Sequence, residues 1–208
     1  MNSKNKKILA LVLPALVVVA IDQYSKYLIR TVPDLQNITL IDGWFAFHYT
    51  QNPGMAMGID LLSTPVISII AICAVTGIIA YVIYHMEQAN MLYMSCMGLV
   101  LGGAMGNIID RLILAKVESY GGILEGHVVD FLHFTLKIGG YPVFPYIFNV
   151  ADAAISVAII LLLLFNKQIM PKDIIPPKED LEQDSSANTS SSQNIDIDSS
   201  EEPSSQNL

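Results

Sequence analysis

Four aspartates are set apart by where they sit. Asp22, Asp110 and Asp152 fall inside or at the end of strongly apolar stretches. Asp130 lies within Val128-Val129-Asp130-Phe131-Leu132. A carboxylate in an apolar setting is costly to ionise, so each is a functional candidate by default. Two carboxylates at one site cannot both ionise cheaply, so one pKa rises and the other falls. The ionised member then takes a proton from water while the protonated member donates to a carbonyl oxygen. That is aspartic-protease chemistry, which needs neither metal nor covalent intermediate. Proton relay in a membrane carrier uses the same residue types, and the residues alone leave these two readings even.

Other chemistries find less support. His48, His127 and His133 include no close ligand pair such as His-x-x-x-His, so no metal site and no cofactor is expected. Ser25, Ser68 and Ser156 lack the company of a nucleophile. Cys73 and Cys96 are isolated, and read as small apolar residues of two spans. Polar residues that fit a supporting shell do stand near the aspartates. Asn52 precedes Pro53-Gly54 where the chain returns toward an apolar span. Asn107 and Asp110 are three apart and share a helix face, with Arg111 adjacent to neutralise a carboxylate. Asn149 and Asp152 repeat that spacing at a helix start, where asparagine also serves as an N-cap.

The elements that must position these groups are membrane spans. Of the 208 residues, 52% are hydrophobic and 14% charged, with mean hydropathy +0.49. A soluble domain carries about 25% charge, so an ordinary soluble enzyme is excluded. A bilayer asks for about 20 apolar residues per helix. The expected fold is an all-α membrane protein with four transmembrane helices, near 8–30, 64–86, 91–113 and 149–166. Lys4, Lys6 and Lys7 precede the first span, and Lys167 and Lys172 follow the fourth. With an even number of spans, both termini are expected on the cytoplasmic side. Connections 31–63 and 112–148 then face outward, and all four aspartates gather near that face. Gly98, Gly102 and Gly106 form a small-residue stripe for close packing of the third helix.

The first outer connection reads as a β-hairpin. Asp42-Gly43 separates Ile38-Thr39-Leu40-Ile41 from Trp44-Phe45-Ala46-Phe47-His48-Tyr49. A small extracytoplasmic sheet is therefore expected between the first two helices, with Trp44 as an interfacial anchor. Residues 171–208 carry nine acids and two lysines, a net −7, which leaves about −1 for the rest. The low pI thus belongs to a Ser-, Asn- and Gln-rich stretch expected to be a disordered cytoplasmic tail. The domain division is 1–170 for the membrane body and 171–208 for the tail. No basic patch argues for nucleic acid.

Five blocks, taken in order, resemble the lipoprotein signal peptidase (signal peptidase II) family. They are Asp22-Gln23-Tyr24-Ser25-Lys26; Asn52-Pro53-Gly54-Met55-Ala56-Met57-Gly58; Gly102 through Arg111; Val128-Val129-Asp130-Phe131; and Phe148-Asn149-Val150-Ala151-Asp152-Ala153-Ala154. The resemblance covers roughly 8–166. It implies an aspartic endopeptidase of the bacterial inner membrane that cuts diacylglyceryl-modified prolipoproteins before the lipidated cysteine. Its catalytic pair falls on Asp130 and Asp152. Asp22, Lys26, Asn52, Gly54, Asn107, Asp110, Arg111, Asn149 and Ala151 fall on positions that order the site or hold substrate. The implied partners are prolipoprotein substrates and membrane lipids, with the chain as a monomer. The resemblance tips the balance from carrier to protease.

Two departures stand out. Asp110 and Asp130 are 20 residues apart, a longer linker than the family pattern, so 116–126 is expected as a surface excursion near the substrate entrance. Met57 stands where an aromatic residue is frequent in the family.

Overall fold

The computed structural model describes residues 2–54 and 62–165, most of them in four helices. Helix α1 spans Ser3–Thr31 and stops where Val32 turns extended ahead of Pro33, whose ring disfavours a helical predecessor. Helix α2 (Thr64–Tyr84) opens with Pro65 in its first turn, where a missing N–H costs nothing. Helix α3 spans Met91–Val117 and is capped by Asn90, whose side chain accepts from Tyr93 N at 2.8 Å. Helix α4 (Val150–Leu164) is capped by Asn149.

Two helix ends differ from the expected bounds. α1 begins five residues early, because its lysines are good helix formers. Lys7 Nζ also donates to Met86 O (3.1 Å) and Glu87 O (2.7 Å) beyond α2. α3 runs on to Val117 instead of ending near 113. Asp110 and Arg111 do not mark a water boundary there; both are buried against the rest of the fold. Met57, with the rest of 55–61, and everything from 166 on lie outside the described residues. The tail and the end of the fourth span are therefore not placed. The described residues belong to one unit, Met1–Pro171.

The Asp42-Gly43 turn joins strands β1 (Asn37–Ile41) and β2 (Phe45–Asn52), with Gly43 at φ +68°. The sheet is larger than a hairpin. Strand β3 (Val128–Phe134) pairs antiparallel with β2. A two-residue hairpin, β4 (Lys137–Ile138) and β5 (Tyr141–Pro142), follows, and β6 (Ile147–Phe148) closes on β3. The strand order is β1-β2-β3-β6.

Among the described residues, three helices (α1, α2 and α3) are long and apolar enough to cross a membrane, and α4 is a shorter apolar helix. Their outer faces expose Leu13, Leu16, Ile70, Ile83 and Leu163, which suits lipid contact. α3 lies between α1 and α4. The glycine stripe makes this possible: a Cβ on Gly98 or Gly102 would strike the α1 backbone at Leu11 or Ala15. Gly103, on the other side, leaves room for Ala151 and Ile155 of α4. The stripe is thus packing, as its spacing indicates.

Candidate active site

Close packing carries the polar groups of α1, α3 and α4 into one buried network. Asp22 is fully buried on α1. A Cβ on Gly106 would lie 2.5 Å from its Oδ2, so the glycine leaves space for this carboxylate. Lys26, one turn later and 2% exposed, bridges Asp22 Oδ2 and Asp110 Oδ2, both at 2.9 Å. Its third contact is Asn107 Oδ1, also at 2.9 Å. An ammonium has three N–H donors, and these three acceptors use them all. Asp22 Oδ1 accepts from Ala151 N at 3.0 Å, which fixes the start of α4 on α1. Asp110 Oδ2 accepts from Val129 N at 3.1 Å, which fixes β3 on α3.

Arg111, expected to neutralise a carboxylate, has three of them within range, while the direct ion pair of Asp110 is with Lys26. Consecutive helical residues point about 100° apart, so Arg111 turns away from Asp110. It donates from Nη1 to Pro53 O at 3.4 Å and lies within Coulomb range of Asp130, Asp110 and Asp152.

Asn149 connects the two remaining aspartates. Its Oδ1 accepts from Asp152 N (3.0 Å), and its own N–H donates to Asp152 Oδ2 (3.2 Å), a reciprocal cap. Capping and site roles therefore coincide in one side chain. Its Nδ2 donates to Asp130 Oδ1 at 2.7 Å and to Asn107 Oδ1 at 3.1 Å, with Val129 O at 3.3 Å. Asn107 Nδ2 in turn donates to Asp152 Oδ1 at 2.9 Å. Both oxygens of Asp152 thus accept from N–H groups. Asp130 Oδ2 has a longer bond, from Asn52 Nδ2 at 3.3 Å. Asn52 is held in turn, since its Oδ1 accepts from Gly54 N at 2.9 Å. Gly54 has φ +122°, which other residues rarely adopt.

Asp130 is 4% exposed. Burial is the main cause that pushes its carboxyl up to about 7, and the charge of Asp152 adds to it. The donors Asn149 and Asn52, and the Lys26 charge, act in the opposite sense. Asp130 thus keeps its proton to higher pH than an ordinary carboxyl does.

All eleven residues singled out from sequence meet in this region, with Arg111 and Gly54 at its edge. Asp130, expected within the outer connection 112–148, sits mid-strand in β3. The signal was available: 128–131 is a short apolar, β-branched run, the pattern of a strand buried on both faces. Gln23, in the Asp22–Lys26 block, has a place that its residue type does not signal. Its Nε2 contacts Gly106 O (3.0 Å), Asp110 Oδ1 (3.1 Å) and Asp22 Oδ2 (3.2 Å), tying α1 to α3. The 116–126 stretch runs over the surface as expected, exposed apart from Leu124 and Gly126, and it is tied down at points. Its first two residues are helical. Ser68 Oγ donates to Leu124 O at 2.9 Å, and Gly126 N donates to Arg111 O at 3.1 Å.

The chain as a whole is similar to known proteins. The family model for signal peptidase (SPase) II matches residues 14–167. A lipoprotein signal peptidase of Chlorobaculum parvum is 35% identical over 160 residues, covering 74% of this chain and 92% of the relative. One from Porphyromonas gingivalis is 31% identical over 191 residues, covering 77% and 83%. A bacterial membrane enzyme structure obtained by the in meso method at 1.9 Å superposes with TM-score 0.57 at 30% identity, covering 75% of this chain and 91% of the other.

Proposed function

This chain belongs to the signal peptidase II family, and on that premise we propose that it is a membrane aspartic endopeptidase acting on prolipoproteins. It removes the signal peptide of a diacylglyceryl-modified precursor just before the lipidated cysteine. The observation that carries the assignment is Asn149, which grips Asp130 and Asp152 at once. Relatives named as peptidases leave the proton-coupled carrier without support.

In the proposed reaction the scissile carbonyl lies against the aspartate pair, with a water on its open face. Asp152, whose oxygens accept two N–H bonds, is the ionised member and takes a proton from the water. Asp130 keeps the shared proton on Oδ2, its weakly bonded oxygen, and donates it to the carbonyl oxygen. The gem-diol intermediate then returns a proton to Asp130, Asp152 protonates the leaving amine, and the C–N bond breaks. No group of the protein becomes covalently attached. The pair titrates as a unit, so the acid and base roles belong to the pair and the assignment rests on the hydrogen bonds alone.

Four spans place both ends in the cytoplasm, with Lys4, Lys6 and Lys7 on that side by the charge asymmetry of membrane proteins. The aspartates then lie near the outer face of the inner membrane, where a lipid-held precursor presents its cleavage point. Trp44 and its aromatic neighbours suit the headgroup zone. The diacylglyceryl chains stay in lipid while the signal helix lies between helices of this chain. The chain acts as a monomer.

The assignment is tested by incubating the purified chain in detergent with a diacylglyceryl-modified precursor. A shortened product beginning at the lipidated cysteine is expected. Intact precursor, with proton flux in liposomes instead, would reverse it.

The pH profile of cleavage follows from the same pair. The active form holds one proton. As pH rises through about 7, Asp130 loses that proton, so kcat/KM falls on the alkaline side. Initial rates across pH on a fixed precursor check this; a flat profile through pH 7–9 would contradict it.

The family match ends at 167, before the acidic stretch begins. Removal of residues 173–208 is expected to leave cleavage within about twofold of the full chain, the span of an ordinary surface change. A large loss in the same assay would give that stretch a docking role.

A further inference from the structure

Outside the buried network, a second polar cluster joins the ends of α1 and α3 to β2. Glu118 caps α3, inside the connection that is longer than the family pattern. Its Oε1 pairs with Arg30 Nη1 of α1 at 2.9 Å, and its Oε2 accepts from Gln51 Nε2 of β2 at 2.9 Å. Gln51 Nε2 also donates to Tyr49 OH at 2.7 Å. The next residue along β2 is Asn52, the donor to Asp130 Oδ2. In the strand ladder Thr50 pairs with Asp130, Gln51 with Val129 and Asn52 with Val128, so Asn52 reaches Asp130 diagonally. Side chains alternate along a strand. A hold on Gln51 from one face therefore sets how far Asn52 reaches from the other.

We infer that Glu118 is a positioning residue for the cleavage reaction: by holding Gln51 against the α1 and α3 ends, it keeps Asn52 on Asp130. The bland reading is a surface ion pair, since Arg30 and Glu118 are partly exposed. Such a pair alone contributes little. The bond to Gln51 separates the two readings, because a surface pair has no reason to engage the strand that carries a site residue. This inference rests on the proposed peptidase activity for its kinetic readout.

The charged and titratable groups around the linkage are few. Glu118 faces Arg30 from α1 and Tyr120 from its own connection. Asp130 faces Lys26 from α1, Arg111 from α3 and Asp152 from α4. Loss of the Asn52 bond removes a donor that favours ionised Asp130. Its proton is then held to higher pH, and the alkaline limb of cleavage moves upward.

The test compares Glu118→Ala, Glu118→Gln, Asn52→Ala and the double variant Glu118→Ala/Asn52→Ala in the full chain. For Glu118→Ala, kcat is expected to fall between about 10-fold and 100-fold with KM little changed, as for misplacement of a reacting group. The alkaline limb should move up as it does in Asn52→Ala, and the double variant should move no further. Glu118→Gln keeps an acceptor for Gln51 and should recover most of the rate although the ion pair is lost. An unshifted limb in Glu118→Ala, or losses that multiply in the double variant, would overturn the inference. The side-chain amide resonance of Asn52 gives a readout without turnover. It is expected to move in Glu118→Ala and stay in Glu118→Gln; an unmoved resonance in Glu118→Ala overturns the linkage even if no precursor is cut. Failure of the wild-type chain to cut, with the resonance moving as stated, would overturn the peptidase reading and leave the linkage standing.

Discussion

Asp130→Asn and Asp152→Asn are each expected to lower cleavage by about 10²- to 10⁴-fold, the contribution of a positioned acid or base, with the chain still inserting and folding. Asparagine matches aspartate in shape but can neither accept the proton of water nor release one to a carbonyl. Asn149 would still cap α4 in both variants, because its bond to the Asp152 N–H involves no aspartate side chain. Each amide does face one N–H with its own NH₂: at 152 the donors are Asn107 Nδ2 and Asn149 N, and at 130 they are Asn149 Nδ2 and Asn52 Nδ2. The mismatch is smaller at 130, where the amide nitrogen can take the Oδ2 place and face the longer 3.3 Å contact. Rates on a lipid-modified precursor, measured beside the thermal unfolding of each variant, separate lost chemistry from lost fold. Wild-type turnover by either variant would remove that residue from the mechanism.

Lys26→Met destabilises the chain by about 3–5 kcal/mol, the cost of leaving buried charges without their partner. Lys26 is almost completely buried and satisfies Asp22, Asp110 and Asn107 together. Methionine fills similar volume but leaves two carboxylates facing each other in a dry interior. A sharp drop in unfolding temperature, or failure to accumulate as folded protein, is expected. Neutralising the whole triad with Asp22→Asn/Lys26→Met/Asp110→Asn should recover much of the loss, since no unpaired charge then remains. If Lys26→Met melts like the wild type, the network does not hold the helices as described.

These effects clarify what could be read from the chain. Four apolar stretches, a turn at Asp42-Gly43 and an N-cap at Asn149 are local signals, each set by neighbours within a few residues. Their positions match the structure closely, apart from the two helix ends moved by charged residues. The clustering of Asp22, Asp110, Asp130 and Asp152 was legible because an apolar surround makes each carboxylate stand out. The partners were not. Ala151 N meets Asp22 across 129 positions of sequence, and no periodicity encodes such a contact. Adjacency marks Arg111 as a neutralising charge, but nothing local shows that Lys26, from another helix, makes the direct ion pair with Asp110. Gln23 and Glu118 carry ordinary surface chemistry in sequence. Only tertiary packing gives them a place beside the network. The sheet was half legible for a similar reason: β1 and β2 are joined by a tight turn, whereas β3 joins them from more than 70 residues away.

The account depends most on Asp130 and Asp152 acting as one unit. The direct measurement is a double-variant cycle on a diacylglyceryl-modified precursor, with wild type, Asp130→Asn, Asp152→Asn and Asp130→Asn/Asp152→Asn at equal folded concentration. If the pair shares one proton, removing either member disables both, so the double variant should be no slower than either single one. Losses that multiply would mean two independent contributions, and cleavage surviving in any variant at the wild-type rate would mean that the reaction is carried elsewhere.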